Sequence, residues 1–372
     1  CATCHHPSRA LGDGLSLAIG TGGSGAGSSR TLGAGRQFDP RRAPSLLNKG
    51  LGLQWIFWDG RVSSFQPGVV TGPPGVPIPG GLPNALTAQA MLPVLDRVEM
   101  RGAPGDVDVL GAPNELAQFN DSDATSVWQA LMRRLLAIPE YGAMFQAAVP
   151  GPTNLLNFSD AARAIAAFEM QASTKMRSPF DRYLDRDDAA LTIEEKRGAL
   201  LFFGKGRCVQ CHNGPLLGAN GFVDAAVPQI GPGLGAAAPL DLGRGNLPNN
   251  DSYKFAFRVA PLRNVELTAP YMHDGAFPTL EAVVRHYNDP VTVLRSYDTT
   301  QLAQALRPLY HGDDATINAV LGRLDFRLRP LGLTAAEEST LVTFLRALTD
   351  PAARDLGALV PARVPSGLAV PR

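Results

Sequence analysis

Four cysteines and two histidines form the clearest chemical pattern in the sequence. The pattern Cys-x-x-Cys-His occurs at residues 1–5 and again at residues 208–212, and no cysteine is left over. Two thiols three positions apart can form thioethers to the two vinyl groups of one porphyrin, and the adjacent histidine can then ligate its iron. A zinc site or a redox-active dithiol would not require a histidine after both pairs. The sequence therefore predicts two covalently bound haem c groups.

Each motif supplies one complete attachment set. The attachment residues are Cys1 and Cys4 for haem 1 and Cys208 and Cys211 for haem 2, with His5 and His212 as iron ligands. Thioether attachment of haem takes place outside the cytoplasm, so we expect a periplasmic or otherwise exported protein. Because the printed sequence opens on a haem cysteine, we expect that a signal peptide was removed before it.

The overall composition argues against several classes of function. Lys and Arg number 34 and so do Asp and Glu, so the formal charge is zero and offers no electrostatic footprint for nucleic acid or an anionic membrane. We find no uninterrupted apolar run near the roughly 18 residues that a membrane helix needs, so the chain is not expected to span a membrane. The 39 glycines and 31 prolines predict long irregular connections.

Helical patterns dominate the rest of the chain. We expect helices at residues 85–91, from residue 122, from an N-cap at Ser159, from Thr192, and over residues 334–348. In the helix after Ser159, the apolar residues Phe168 and Met170 are expected to face the core. Residues 20–35 and 67–83 are rich in Gly or Pro and predict loops, the first of them near haem 1.

These elements predict a mainly α protein of two cytochrome c-like domains, each carrying one covalent c-type haem, with long Gly/Pro-rich loops. At about 150 residues per domain, 372 residues suffice for two. A charged stretch over residues 181–188 separates the halves, which gives an N-terminal domain at 1–188 with haem 1 and a C-terminal domain at 189–350 with haem 2. Residues 351–372 are expected to form an extended tail.

Three further segments resemble the bacterial di-haem cytochrome c peroxidases and their MauG relatives. They are LRNVELTAPYMHDG at 262–275, FWDGR at 57–61, and Gln89 and Pro93 followed by Glu99 and Met100. With both haem motifs, the resemblance spans about residues 1–350. It implies that haem 1 is the high-spin site that reacts with hydrogen peroxide, and that haem 2 is six-coordinate and passes electrons.

The resemblance assigns roles to four residues near haem 1. Trp58 resembles a tryptophan between the haems, where an oxidisable indole can relay charge, although its type alone also fits a core aromatic. Glu99 resembles a distal carboxylate that takes a proton from one peroxide oxygen and delivers it to the other. Gln89 and Pro93 resemble the other walls of that pocket. Gln89 would hydrogen-bond a bound oxygen species, and Pro93 would contribute shape alone.

Two positions depart from the ordinary peroxidases. Thr21 stands where many of them carry a histidine that caps the resting iron, and threonine is a poor iron ligand. Tyr287 stands where they carry a methionine ligand to haem 2, and MauG-like enzymes have tyrosine there. A phenolate is a harder, anionic donor that should lower the potential of haem 2 and stabilise its higher oxidation states. Tyr287 also fits a core position, and Met272 and His286 are the alternative ligands.

The resemblance further implies a Ca²⁺ between the haems, held by an Asn side chain and by the backbone carbonyls of a Thr and a Pro. Thr268 and Pro270 are present, but Arg42 stands where the Asn would be. Carbonyl ligands survive sequence change, whereas a cation next to Arg is disfavoured. The sequence is therefore compatible with an occupied and with an empty calcium site. His273 is expected to support haem 2 or its propionates.

Together these features predict an exported di-haem enzyme closer to MauG-type oxidases than to simple peroxidases. Peroxide would bind at haem 1, Glu99 would assist cleavage of its O–O bond, and the oxidising equivalents would be shared with haem 2 through Trp58 and used on a protein or small substrate. One alternative is a conventional peroxidase that takes electrons from a small cytochrome c or cupredoxin. Another is a non-catalytic electron-transfer cytochrome, which Thr21 argues against because it leaves haem 1 uncapped.

Overall fold

The computed structural model describes residues 1–218 and 221–370. Its α-helices are α1 Ala85–Gln89, α2 Ala124–Leu136, α3 Pro139–Ala148, α4 Phe158–Ala172, α5 Pro179–Leu184, α6 Ile193–Phe203, α7 Leu280–Asn288, α8 Pro290–Arg295, α9 Asp314–Leu321 and α10 Ala335–Arg346. A single turn of π-helix spans Arg97–Arg101. This helix-rich architecture confirms the mainly α prediction. None of the described helices is long and apolar enough to cross a membrane.

The β-structure of the described residues is limited to short antiparallel strands. The strands are β1 Trp55–Ile56, β2 Val62–Gln66 and β3 Val69–Thr71 in one sheet, and β4 Phe222–Val223 and β5 Phe257–Arg258 in another. Strand β3 lies inside the stretch 67–83 that the sequence predicts as a loop. Its valines pair with β2 across a short turn, an arrangement that the surrounding prolines and glycines hide from sequence inspection.

Side-chain caps set the beginnings of the predicted helices. Thr192 and Thr334 each form a capping box with a glutamate three residues later, which confirms the predicted starts of α6 and α10. Helix α4 begins earlier than expected, because Asn157 is its N-cap rather than Ser159. The side chain of Asn157 accepts a hydrogen bond from the Ser159 amide at 2.9 Å, and Asp160 completes the box.

The predicted core face of α4 is wrong at its C-terminal end. Phe168 and Met170 are 51% and 39% exposed. The buried side of this helix is formed instead by small residues, among them Ala162 and Ala166, and by Glu169. Alanines allow the helix to approach its neighbours closely, so the larger side chains are left on the solvent side.

Two large hydrophobic cores are found in the described residues. One packs α1, α2 and α4 against the three-stranded sheet, and the other packs α5, α6, α7 and α10. Phe180 of α5 lies edge-on to Phe344 of α10, with ring centroids 5.2 Å apart. Helix α5, which lies within residues 1–188, thus packs in the same core as α6, α7 and α10.

The segment after Pro351 is not extended up to residue 359, contrary to expectation. It forms short 3-10 helices at Pro351–Ala353 and Gly357–Leu359. Ala353 and Leu356 are buried in a small cluster with Leu11 and Leu47 of the first half. The apolar residues of this Pro/Ala-rich segment pack against the first half, a contact that composition alone does not predict.

A buried ion triad joins the two halves. The Arg41 guanidinium contacts Asp59 at 2.6 Å and binds Asp241 through two bonds of 2.6 and 2.9 Å. Burial alone would raise the pKa of Asp59, but the charges of Arg61 and Arg41 lower it below its usual range. Burial likewise opposes the charge of Arg41, but Asp241 and Asp59 raise its pKa. All three side chains therefore remain charged inside the protein.

Candidate functional site

The two Cys-x-x-Cys-His segments fold into the same turn. The amide of His5 donates to the carbonyl of Cys1 at 2.8 Å, and the amide of His212 donates to that of Cys208 at 2.8 Å. Cys4 and His5 line one cavity, and Cys208, Cys211 and His212 line another. Cys1 is exposed and does not line the first cavity. Segments 207 residues apart thus present the same residue types to two separate cavities.

Both histidine rings are held in the form that can ligate a metal. Nδ1 of His5 lies 2.9 Å from the carbonyl oxygen of Leu11, and Nδ1 of His212 lies 3.0 Å from that of Leu217. A carbonyl oxygen can only accept, so Nδ1 carries the proton and Nε2 keeps its lone pair. Burial lowers the pKa of His5 to about 4 and that of His212 below its usual value, so both rings are neutral at pH 7.

The thiols do not fit the alternatives to haem. Burial raises the pKa of Cys4 to about 11 and that of Cys208 to about 12, whereas redox-active and metal-binding cysteines need a stabilised thiolate. No group of three or more His, Cys, Asp or Glu side chains that could hold a metal occurs among residues 1–218 and 221–370. The buried thiols of Cys4 and Cys208, beside neutral histidines that line the same cavities, fit thioether attachment and ligation of a haem.

The first cavity has a volume of about 710 Å³. This lies within the range of about 300 to 1,000 Å³ that is typical of small-molecule sites. Besides His5, its lining includes Trp58, Gln89 and Glu99. Pro93 begins a short 3-10 helix beside the cavity and is not among the lining residues. The structure thus brings together three of the four residues predicted for this pocket.

Glu99 lies in the π-helical turn Arg97–Arg101. The side chain of Asp96 caps this turn by accepting hydrogen bonds from the amides of Val98 and Glu99 at 2.8 and 2.9 Å. The Thr21 hydroxyl donates to the carbonyls of Arg97 and Val98 at 2.9 and 3.2 Å. Single π-helical turns occur frequently at functional sites. Thr21, which the sequence identifies only as a poor ligand, therefore holds the turn that carries Glu99.

Gly20 explains how the loop approaches this turn so closely. A Cβ at this position would lie 2.0 Å from the carbonyl oxygen of Val98 and 2.7 Å from Cα of Glu99. Only glycine leaves room for two backbone segments at this distance. The predicted loop over residues 20–35 therefore contributes a wall of the first cavity through Gly20.

The surroundings of Glu99 disfavour its ionised form. Burial, together with the negative charges of Asp39 and Asp96, raises the pKa of Glu99 to about 8. Burial also raises the pKa of Asp39, to about 6. Both carboxyl groups line the first cavity. Sequence analysis missed Asp39, because nothing in its local pattern indicates that the chain returns to face residue 99.

Gln89 is the last residue of α1. Asn84 starts this helix by accepting a hydrogen bond from the Thr87 amide at 2.9 Å. Leu86 and Gln89, three positions apart, share the helix face that lines the first cavity. The Gln89 side chain makes no hydrogen bond with any described residue, so its amide is available to a bound molecule.

The second cavity has a volume of about 240 Å³ and contains the predicted haem 2 residues. Tyr287, Met272 and His273 all line it together with the second haem motif. Burial and then the neighbouring Cys211 and Cys208 raise the pKa of Tyr287 above its usual value. The Tyr287 hydroxyl forms no hydrogen bond within the described residues. It is therefore free to meet a group inside the cavity.

His286 does not line the second cavity. It is fully buried, and its Nε2 lies 2.7 Å from the carbonyl oxygen of Ala225. The structure therefore leaves Tyr287 and Met272 as the candidate distal ligands. Met272 adopts a φ of 72°, a left-handed conformation that is uncommon outside glycine. The ring of His273 stacks on Phe257 with centroids 3.6 Å apart.

Trp58, Arg42 and Arg258 line both cavities. The indole nitrogen of Trp58 donates to the carbonyl of Arg42 at 3.2 Å, and the carbonyl of Trp58 accepts from the amide of Arg258 at 2.7 Å. Gly60 closes the turn with a φ of 68°, and a Cβ there would lie 2.4 Å from the ring of Phe222. These hydrogen bonds and the tight turn hold the Trp58 indole in the wall that the two cavities share.

Arg258 is a cationic residue that sequence analysis missed. It is only 8% exposed, yet none of the ion pairs of the described residues includes it. Its guanidinium donates to the carbonyl of Phe57 at 3.1 Å, and burial lowers its pKa to about 10. Buried cations are normally paired. The donors of Arg258 that remain therefore suit a carboxylate of a bound group, such as a haem propionate.

Arg42 contacts the backbone that the sequence identifies with calcium binding. Its guanidinium donates to the carbonyl of Thr268 at 2.7 Å, and its amide donates to the carbonyl of His273 at 2.9 Å. Pro270 lies two residues further on and lines neither cavity. One of the two carbonyl ligands expected for calcium is thus already bound to a cationic side chain.

Comparison with known proteins places these features in a family context. A sequence model of the di-haem cytochrome c peroxidases matches residues 1–189. The chain is 30% identical over 289 residues to the methylamine utilization protein MauG of Methylorubrum extorquens, and 31% identical over 275 residues to the cytochrome c551 peroxidase of Pseudomonas aeruginosa. These alignments cover 77% and 74% of this chain and 62% of each relative. The chain thus spans under two thirds of the length of either relative.

Solved structures of similar fold cover more of the chain. A MauG-like protein associated with microbial copper homeostasis aligns with a TM-score of 0.62 at 23% identity, over 95% of this chain and 84% of that one. The diheme peroxidase BthA of Burkholderia thailandensis E264 aligns with a TM-score of 0.60 at 23% identity, over 99% of this chain and 84% of that one. At this identity the likeness concerns the fold alone.

Proposed function

Because this chain belongs to the di-haem cytochrome c peroxidase family, we propose that it is an exported MauG-type enzyme that reacts with hydrogen peroxide in its first cavity. The observation that carries this proposal is the arrangement around Glu99. A carboxyl group and a histidine with a free Nε2 face the same cavity, while Thr21 is tied to backbone carbonyls and supplies no iron ligand.

Each half would hold one covalent haem c as a cytochrome c-like domain. Cys1 and Cys4 would attach the first group and Cys208 and Cys211 the second, with His5 and His212 as proximal ligands. Bound haem supplies the redox-active iron at which peroxide is reduced. Arg258 lines both cavities, and its guanidinium would pair with a propionate carboxylate.

Glu99 would move the proton that peroxide cleavage requires. One carboxylate oxygen of Glu99 would take the proton from one peroxide oxygen and return it to the other, which would leave as water, while the bound haem would supply the two electrons. The free amide of Gln89 can donate a hydrogen bond that orients the peroxide. The Asp96 cap and the Thr21 hydroxyl hold the backbone of the turn that carries Glu99.

Trp58 would connect the two sites electronically. Its indole ring lines both cavities, and its N–H is bonded to the Arg42 carbonyl, which fixes the ring. An indole is among the most easily oxidised side chains, so it can pass an electron in one direction and recover it from the other. This position supports sharing of oxidising equivalents between the sites.

Tyr287 would be the distal ligand in the second cavity, which is the feature that makes the proposal MauG-like. Its hydroxyl forms no hydrogen bond within residues 1–218 and 221–370, and the residue lines the same cavity as the Cys208 motif. Ligation would require loss of the phenol proton, which metal binding promotes. Met272 lines the same cavity, and this observation favours the second candidate function, a conventional peroxidase that draws electrons from a small cytochrome c or cupredoxin.

Spectroscopy of the resting haem-loaded protein followed by rapid mixing tests the proposal. We expect one high-spin and one low-spin ferric EPR signal, and a Soret change on mixing the air-oxidised protein with stoichiometric peroxide. A Soret change that appears only after one-electron reduction would indicate a conventional, capped peroxidase. Two low-spin signals with no reaction would indicate an electron-transfer cytochrome.

A further inference from the structure

Arg42 lies in the interior at the junction of the two halves. It is 5% exposed and lines both cavities. Its guanidinium reaches the carbonyl of Thr268 at 2.7 Å, while its own carbonyl accepts from Trp58 and its amide donates to His273. The cationic end of this side chain is therefore held by the 262–275 segment, and its backbone is held by both halves.

Two buried carboxyl groups act on this guanidinium. Burial lowers the pKa of Arg42 to about 10, and the nearby Asp13 and Asp274 partly offset this shift. Each carboxyl group is fully buried and has one oxygen, Oδ2, without a hydrogen-bond partner, and Nε of Arg42 also lacks one. None of the ion pairs of the described residues includes Arg42. Asp13 comes from the first half and Asp274 from the second, so Arg42 lies near buried carboxyl groups of both halves.

We infer that the Arg42 guanidinium is the resident cation of this junction and that it stands in place of a calcium ion. Calcium requires about six to eight oxygen ligands at roughly 2.3 to 2.6 Å. Here the Thr268 carbonyl already accepts from Arg42, and the side chain at residue 42 offers only donors. A second cation at this place would also be repelled by the guanidinium at short range and low dielectric.

This substitution changes how the junction is maintained. A calcium ion can dissociate or be chelated, whereas an arginine side chain is covalently part of the chain. The contact between Arg42 and the Thr268 carbonyl is consequently independent of the metal content of the medium. The family's calcium site, as this chain carries it, is filled by the protein itself.

Metal analysis and thermal unfolding of the haem-loaded protein test the inference. The protein is dialysed against EGTA or against calcium chloride, its calcium content is measured by inductively coupled plasma mass spectrometry, and Tm is recorded in both buffers. We expect no more calcium than in a buffer blank, and the same Tm in both. Bound calcium that survives dialysis against calcium-free buffer, or a Tm that falls in EGTA, would overturn the inference.

Arg42→Asn provides a gain-of-binding test. This variant removes the guanidinium, frees the Thr268 carbonyl and adds an amide oxygen, so calcium should now raise its Tm. The matched control is Arg263→Asn, which removes an equally buried arginine, 6% exposed, that pairs with Asp181 and lines neither cavity. The control should lose stability equally in both buffers. If calcium leaves the Tm of Arg42→Asn unchanged, Arg42 does not fill the cation's place. The wild-type metal content decides the matter even if this variant fails to fold.

Discussion

Glu99 is an acid whose surroundings oppose its charge, and this sets the pH at which it can accept a proton. Its pKa is raised to about 8, so at pH 7 most molecules carry the neutral carboxyl group. We expect the rate constant for the reaction with peroxide to rise about tenfold per pH unit between about pH 6 and about pH 8 and then to level off, because only the ionised form accepts the peroxide proton. Stopped-flow absorption of the haem-loaded protein measures this profile.

Two variants separate Glu99 from other titrating groups. Asp39→Asn removes a negative neighbour, so it should lower the pKa of Glu99 and move the profile to lower pH. Glu99→Gln cannot ionise, so its profile should be flat and its rate reduced by about a hundredfold to ten-thousandfold, with an unchanged resting spectrum. A pH-dependent profile in Glu99→Gln would assign the titration to a different group.

A Tyr287 variant tests the proposed distal ligand of the second cavity. Tyr287→Phe removes the only oxygen of this side chain, so we expect the low-spin EPR signal to change and charge sharing after peroxide addition to be lost. Both haems should remain attached, because the thioethers do not depend on the distal ligand. Low-temperature EPR and the absorption spectrum of the denatured haemochrome measure these quantities.

Met272→Leu is the matched control for this ligand assignment. It keeps an apolar side chain of similar size in the same cavity and should leave the low-spin signal as in the wild type. If Met272→Leu changes the signal and Tyr287→Phe does not, the second haem is methionine-ligated and the conventional peroxidase is favoured.

At the residue scale, local sequence patterns identify the parts of the site that have a fixed spacing. The two haem motifs could be predicted because their chemistry requires neighbouring residues. Asp39 and Arg258 could not be predicted, because each matters only through its neighbours in the fold. Asp39 matters because it lies near Glu99, and Arg258 because it is buried in a cavity wall without a carboxylate partner. Their functions depend on position, which residue type does not encode.

At the scale of elements, the loop at Thr21 and the π-helical turn at Glu99 behave as one unit. Thr21→Val removes the hydroxyl that donates to two carbonyls of the turn while keeping the volume of the side chain. We expect a loss of about 0.5 to 1.5 kcal/mol in unfolding free energy and a slower reaction with peroxide, because Glu99 is less firmly positioned. Denaturant unfolding and stopped-flow mixing check the two effects.

Thr21→Ser is the control, since it retains the donor hydroxyl and should keep nearly the wild-type rate. Gly20→Ala should be more severe than either, because its Cβ would overlap the Val98 carbonyl oxygen. Equal rates in Thr21→Val and Thr21→Ser would mean that the hydroxyl contributes nothing to the position of Glu99.

Helices with local capping signals were predictable, and elements that tertiary contacts define were not. The starts of α6 and α10 follow from capping boxes that lie within four residues. The π-helical turn 97–101 depends on the Asp96 cap and on a loop more than 70 residues away. The exposure of Phe168 depends on which face of α4 packs against neighbouring elements. Helical spacing alone does not predict which face that is.

At the scale of the whole molecule, Arg41 links the halves through two aspartates. Arg41→Leu would leave Asp59 and Asp241 buried without their shared cation, and we expect a loss of about 3 to 5 kcal/mol in stability. Both carboxyl groups have a lowered pKa when folded. Their contribution is therefore present above the usual pKa of aspartate and lost as pH falls below it. Thermal unfolding as a function of pH measures this loss.

Arg182→Leu is the control for removal of an arginine, because its contact with Asp187 lies on the surface. Such exposed pairs contribute about 0 to 1 kcal/mol, so little change is expected at any pH. A similar, pH-independent loss in both variants would show that the triad is not what holds the halves together.

The cluster that residues 353 and 356 form with Leu11 links the C-terminal part of the chain to the first haem motif. The Leu11 carbonyl orients the ring of His5, so the surroundings of His5 are complete only when a segment more than 340 residues further along the chain has docked. The His212 ring depends instead on Leu217, five residues away. The motif nearest the start of the chain is thus the one whose histidine partner, Leu11, packs against residues 353 and 356.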